Sequence, residues 1–172
     1  MRRPIVGVMG PADAGRALAE MAFQLGASIA RERWILLTGG RAVGVMDAAS
    51  RGAKSVPDSI TVGILPADHR TTDVSAAVDI AIFTNMGDAR NAINVQSSDV
   101  VVALGAATPG TLSEVAFALK AQKPVILLAA GDDVRRFLTD HGAGSVHVAA
   151  DPADAIAQIK DIVLSQSNAS RP

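Results

Sequence analysis

Short, almost unbroken runs of Val, Ile, Leu and Ala punctuate this chain, and segments of helical periodicity lie between them. PIVGVMG (4–10), WILLTGG (34–40), SITVGIL (59–65), VDIAIFT (78–84), DVVVAL (99–104), PVILLA (124–129) and SVHVAA (145–150) read as strands. A parallel sheet covered on both faces requires strands of this continuous kind. After the first run, Leu18, Met21, Ala22, Leu25 and Ile29 recur at helical spacing, with Asp13 placed to cap the helix. Further helices are expected over 43–54, 88–98, 111–122 and 131–140. A last one begins DPADAIAQIKDIVLS, with Asp151 as its cap and Pro152 in the first helical position. The segment PADHRTTDVSAA (66–77) is polar and reads as a surface loop. Strand–helix alternation imposes right-handed crossovers, so the expected fold is α/β: a Rossmann-like, doubly wound, mostly parallel sheet with helices on both faces.

A chain of 172 residues fits one domain, placed over 1–166, with a frayed tail over 167–172. Hydrophobic residues make up 49% and the mean hydropathy is +0.28, more apolar surface than one core of this size absorbs. That surplus points to homo-oligomer interfaces. The formal net charge of −1, the lack of a basic run and 3% aromatic content disfavour a nucleic-acid partner. With no cysteine, disulfides and thiolate metal sites are excluded, and His69, His141 and His147 lack zinc-like spacing, so no metal ligands are assigned. No apolar stretch is long enough to span a bilayer, and MRRPIVGVMG lacks a signal-peptide core; the expected setting is cytoplasmic, without membrane.

In open α/β sheets ligands bind beyond the carboxyl ends of the strands, near the reversal of strand order. Four candidate strand ends carry loop chemistry: VMGPADAG, LLTGGRAVG, TNMGDARN and ALGAATPGT. Glycines there let an anion approach a helix N-terminus, and Gly10, Gly39, Gly40 and Gly44 are placed for that; equally, they permit tight turns. Arg41 and Arg90 are cations able to grip a phosphate or carboxylate through two parallel hydrogen bonds, with Asn91 beside Arg90. Neither GxGxxG nor GxxxxGK[ST] occurs, so neither a dinucleotide fingerprint nor a Walker-type NTPase is supported. GAATPGTLSE (105–114) admits two readings. Thr111 and Glu114 form a capping box; or Thr108 caps the helix with Pro109 first, freeing Thr111 and Glu114 to face a pocket.

ILLTGGRAVGVMDAASRGAK, GDARNAI and GTLSEVAFALKAQKPVILL resemble the lysine-decarboxylase-like superfamily, which includes the "lonely guy" phosphoribohydrolases. Those carry PGGxGTxxE and an upstream Arg, matched here by Gly110-Thr111-x-x-Glu114 and Arg90. The paired glycines before the GT are Ala107 and Thr108 in this chain, whose β-carbons crowd a close phosphate. The sequence is more similar still to the molybdenum cofactor carrier proteins, through Val6–Pro11, Trp34–Met46, Gly87–Asn94, Gly110–Leu128 and Val146–Asp151. That resemblance implies a carrier without turnover that holds molybdenum cofactor (Mo-molybdopterin) as cargo. It also implies a homotetramer, a dimer of dimers, with molybdoenzymes or cofactor-synthesis proteins as partners. Cofactor-binding residues are then Gly10, Gly39, Gly40, Arg41, Gly44, Arg90, Asn91, Thr108, Gly110, Thr111 and Glu114. The second reading is a hydrolase of nucleoside 5′-monophosphates, in which Arg90 and Glu114 are catalytic.

Overall fold

A computed structural model describes residues 2–68, 73–142 and 145–169. Its strands are β1 (Ile5–Met9), β2 (Ile35–Thr38), β3 (Ile60–Leu65), β4 (Ile80–Phe83), β5 (Val100–Leu104), β6 (Val125–Leu128) and β7 (Val146–Ala149). They form one sheet in the order β4-β3-β2-β1-β5-β6-β7. Each neighbouring pair runs parallel. The helices are α1 (Arg16–Arg31), α2 (Gly44–Lys54), α3 (Arg90–Ser97), α4 (Pro109–Lys120), α5 (Asp132–His141) and α6 (Pro152–Ala169). The doubly wound fold expected from the strand composition is the fold observed.

Two separate apolar layers account for it. Leu25 and Ile29 of α1, Val45 and Ala49 of α2, and Ile156 and Ile159 of α6 pack with Val6, Val8, Leu36, Val100 and Val102 on one face. Val95 of α3, Val115 and Ala118 of α4, and Leu138 of α5 pack with Leu37, Val101, Ala103 and Leu127 on the other. Alternate residues of one strand serve opposite layers, so every position of β5 must be apolar, and all five are buried. The chain starts at β1, builds outward to β4, then returns across the sheet to β5 through α3. Strand order therefore reverses between β1 and β5, and a crevice opens beyond their carboxyl ends.

Several local expectations are corrected. The N-cap of α1 is Gly15, with no side-chain cap, and Asp13 lies two residues earlier in an exposed loop. Helix α4 starts at Pro109, and Thr108 is its cap, accepting from Thr111 N at 3.4 Å. The Thr111–Glu114 capping box is therefore not formed. Asp151 does cap α6, accepting from Asp154 N at 2.8 Å, but that helix continues to Ala169, past the expected frayed boundary. Of the 66–77 loop, residues 69–72 lie outside the described set, and 73–75 are no free surface segment. Ser75 is buried, donates from its amide to Gly40 O and from its hydroxyl to Asp47. Strand β4 differs from the other apolar runs: all four of its residues are exposed at the edge of the sheet.

Candidate functional site

The crevice at the β1–β5 reversal is a cavity of about 350 Å³. Its floor is the end of β1 and the loop after it, Val8 to Asp13. Gly39 and Met46 form one side, Asp88, Arg90 and Asn91 a second, and Thr108, Gly110, Thr111 and Glu114 a third. Eight residues assigned from sequence thus meet at one place: Gly10, Gly39, Arg90, Asn91, Thr108, Gly110, Thr111 and Glu114.

Gly40, Arg41 and Gly44 do not line it, and each has another task. Gly40 has φ +73° and lies against Gly63, where an added β-carbon would come within 2.9 Å of backbone. Gly44 has φ +52°, and a β-carbon there would fall 2.3 Å from Pro11 O; Val45 N donates to that same oxygen. These two glycines let β3 and the β1 loop approach the start of α2. Arg41 is exposed, and its backbone pairs in an isolated antiparallel bridge with Val74. It acts on the cavity only through its charge, which lowers the Arg90 pKa.

Arg90 and Glu114 make up the polar heart of the site. Both are more than nine-tenths buried. Arg90 Nη1 stands 3.7 Å from Glu114 Oε1, and Asn94 donates to the same oxygen at 3.1 Å. Burial pulls the Arg90 pKa down, an effect that Glu114 and Asp88 partly offset and Arg41 reinforces. Burial likewise pushes Glu114 up to about 7, against the opposing pull of Asn94 and Arg90. The pair is too long to compensate fully for the water that both groups have lost. Arg90 Nε and Asn94 Oδ1 are buried without a hydrogen-bond partner in the structure. Arg90 lines the cavity, so its unsatisfied nitrogen lies at the wall of the site, whereas Asn94 stands behind that wall.

Packing dictates where the guanidinium sits. A β-carbon at Gly39 would lie 2.7 Å from Arg90 Nη1 and 2.8 Å from Nη2. The absence of a side chain at Gly39 is what lets Arg90 lie flat at the end of β2. On the opposite side, the Thr108 and Thr111 hydroxyls are 3.0 Å apart, and Asn91 Nδ2 donates to Ser113 Oγ at 3.1 Å, tying α3 to α4. Gly110 has nothing within 4 Å of where its β-carbon would be, so the start of α4 is open toward the cavity.

Sequence reading missed Asp13, Asp88, Met46 and Asn94. In the sequence Asp13 is placed as a helix cap, and Asp88 belongs to no binding motif of its own. Asn94 stands four residues after Arg90 on the same helix, a spacing that puts both on one face; that signal was present. Among the described residues no cluster of His, Asp and Glu suited to a metal ion is found, and no helix is long and apolar enough to cross a membrane.

Residues 3–156 match the sequence profile of the SLOG cluster4 family. The chain is 52% identical to a molybdenum cofactor binding protein from the phototrophic bacterium Rippkaea orientalis, over 95% of this chain and 99% of that one, with a TM-score of 0.89. It is 50% identical to the molybdenum cofactor carrier protein of Chlamydomonas reinhardtii, with the same coverage and a TM-score of 0.88. A protein of Archaeoglobus fulgidus is 40% identical over 124 residues, 72% of this chain and 78% of its own. The chain belongs to the SLOG cluster4 family and is similar along nearly its whole length to molybdenum cofactor carrier proteins.

Proposed function

We propose that this protein binds molybdenum cofactor, shields it and hands it on, as a carrier without turnover. The observation that carries this reading is the likeness to cofactor-binding and carrier proteins at about half identity over 95% of the chain. The cavity between β1 and β5 suits such cargo. Its volume, about 350 Å³, lies at the lower end of the range for small-molecule sites, and it mixes apolar wall with a few converging polar groups. The open start of α4, where Gly110 and Thr111 line the cavity and the helix carries a partial positive charge, receives an anionic end of the cargo. Arg90 adds a fixed donor from the facing helix, and Asn91 and the Thr108 hydroxyl border the same space. With no cysteine in the chain, no protein thiolate competes with the cofactor's own dithiolene for molybdenum, which keeps the metal transferable.

The carrier acts as a homo-oligomer in the cytoplasm, and its recipients are molybdoenzymes or proteins that make the cofactor. Ile80, Ile82 and Phe83 of edge strand β4 are 39–49% exposed, with Met86 close by. An exposed apolar edge is an association surface, and a second copy of this chain is the occupant we assign to it. Light scattering tests this: the wild type elutes as an oligomer and Ile82→Asp as a smaller species.

To test the carrier reading, the protein is loaded with the cofactor, desalted and exposed to air. Retained molybdenum and a longer lifetime of active cofactor support it; loss of both rejects it. One observation keeps a hydrolase in view: Glu114, with its pKa near 7, is suited to general acid–base work beside Arg90. Release of free base from a nucleoside 5′-monophosphate, abolished in Glu114→Ala, would establish that activity instead.

A further inference from the structure

The lining of the cavity is at odds with a ligand that is anionic throughout. Asp13, Asp88 and Glu114 face it, and Arg90 is the one cation among its described lining residues. Asp13 and Asp88 are exposed at the mouth, whereas Glu114 is inside. A buried carboxyl in a ligand cavity calls for hydrogen-bond donors.

The carrier reading, on which this inference rests, supplies them. A pterin is a 2-amino-4-oxopyrimidine fused to a second ring. Its 2-amino group, N3–H and C4 carbonyl run along one edge as donor, donor and acceptor. Glu114 and Arg90 present the complement in the same order: two carboxylate oxygens, then a guanidinium 3.7 Å from the nearer oxygen. Asn94 holds Oε1 from behind at 3.1 Å, which fixes the carboxyl plane. Arg90 Nε, buried and unpartnered, marks the guanidinium as incomplete without a ligand. We propose that Glu114 and Arg90 together read the aminopyrimidinone edge of the pterin, Glu114 accepting from the 2-amino group and N3–H and Arg90 donating to the C4 oxygen. The anionic end of the cargo then lies toward the start of α4, away from the carboxyl.

Pterin and lumazine test this at pH 7.5, because on the edge in question they differ in a 2-amino against a 2-oxo group. Wild-type protein binds pterin at least about tenfold more tightly, the least expected from losing one hydrogen bond to a charged group. Glu114→Gln turns two acceptors into one acceptor and one donor, which suits N3–H beside a 2-oxo group. In that variant the preference reverses toward lumazine. A purely structural Glu114 would weaken both compounds alike, and an unchanged ratio overturns the proposal. So does equal binding of the two compounds by the wild type, a comparison that needs no variant.

Ionisation gives a further reading. Burial holds Glu114 near pH 7 under the influence of Asn94 and Arg90, with Arg41 acting on Arg90 and Asp88 and Asp13 at the mouth. Lowering the pH to 6 protonates the carboxyl and shrinks the preference for pterin; a ratio that does not move contradicts the assignment. Guanine carries the same edge, so guanosine monophosphate is the remaining arm. If it binds at least about tenfold more tightly than pterin, the ligand is a guanine nucleotide and not a pterin. Retained molybdenum cofactor with no pterin–lumazine discrimination would sink this inference and leave the carrier standing. Discrimination without retention would do the reverse.

Discussion

The loops after β2 and β5 both offer glycines and a nearby polar residue at the carboxyl edge of the same sheet, yet they contribute in different ways. After β2, Gly40 and Arg41 turn away from the cavity, Gly40 to admit β3 and Arg41 to pair with Val74. Gly39 alone reaches the site, and what it provides is room. After β5, Thr108, Gly110, Thr111 and Glu114 all line the cavity because the helix starts at Pro109 and its first turns face inward. A glycine-rich strand end is thus scaffold or binding surface according to where the next helix begins.

That contrast can be tested by substitution on each side. On the β5 side, Glu114→Gln should have the largest effect on stability. The folded-state pKa of Glu114 is raised from 4.5 to about 7, so the native protein holds its proton more tightly than the unfolded chain does. The associated stability is full below pH 4.5 and is lost as the pH rises through 7. The glutamine variant escapes that loss and is more stable than wild type at pH 8, by up to about 3 kcal/mol, and not at pH 4.5. Denaturant titrations at the two pH values measure it, and equal differences at both would contradict the burial argument.

On the β2 side, Gly40→Ala should lower stability by about 1–3 kcal/mol, since φ +73° and the close Gly63 backbone both oppose a side chain. Gly39→Ala should leave the melting temperature nearly unchanged, because the obstructing atoms belong to the flexible ends of Arg90 and Met46. Displacing Arg90 should weaken retention of the cofactor about tenfold, the size of one charge-assisted hydrogen bond. Thr108→Ala should cost about 0.5–1 kcal/mol of stability, at the low end for a cap because the hydrogen bond is 3.4 Å long. Arg41→Ala should change retention least, less than about threefold at physiological salt, since its charge acts from outside the cavity. A loss as large as that of Gly39→Ala would mean that the β2 loop binds directly.

These cases also mark how far sequence reasoning reaches. The strands and helices were readable because a two-sided parallel sheet leaves no latitude: each residue of β5 serves one apolar layer or the other. The same logic failed for β4, whose IAIF is as apolar as VVVAL but lies exposed at the edge; composition identifies a strand and cannot give its place in the sheet. Thr108 and Thr111 are both good caps, and their competition was decided by the docking of α4 on β5, a tertiary effect. Arg90 and Arg41 are equivalent in sequence, each just beyond a glycine at a strand end. Only the return of the 73–75 segment to the loop after β2 separates the exposed one from the buried one. Asp88 and Asp13 come to the cavity only through the fold, from loops that lie far apart in the sequence.

The central claim is that cargo sits in the cavity between β1 and β5. Gly110→Phe tests it most directly, because Gly110 lines the cavity and nothing lies within 4 Å of where its β-carbon would be. Molybdenum and pterin content per protein would be measured after loading and gel filtration, for the wild type and this variant. The account predicts that the wild type keeps both while the folded variant keeps neither; a variant that retains cofactor as well as the wild type would place the cargo elsewhere.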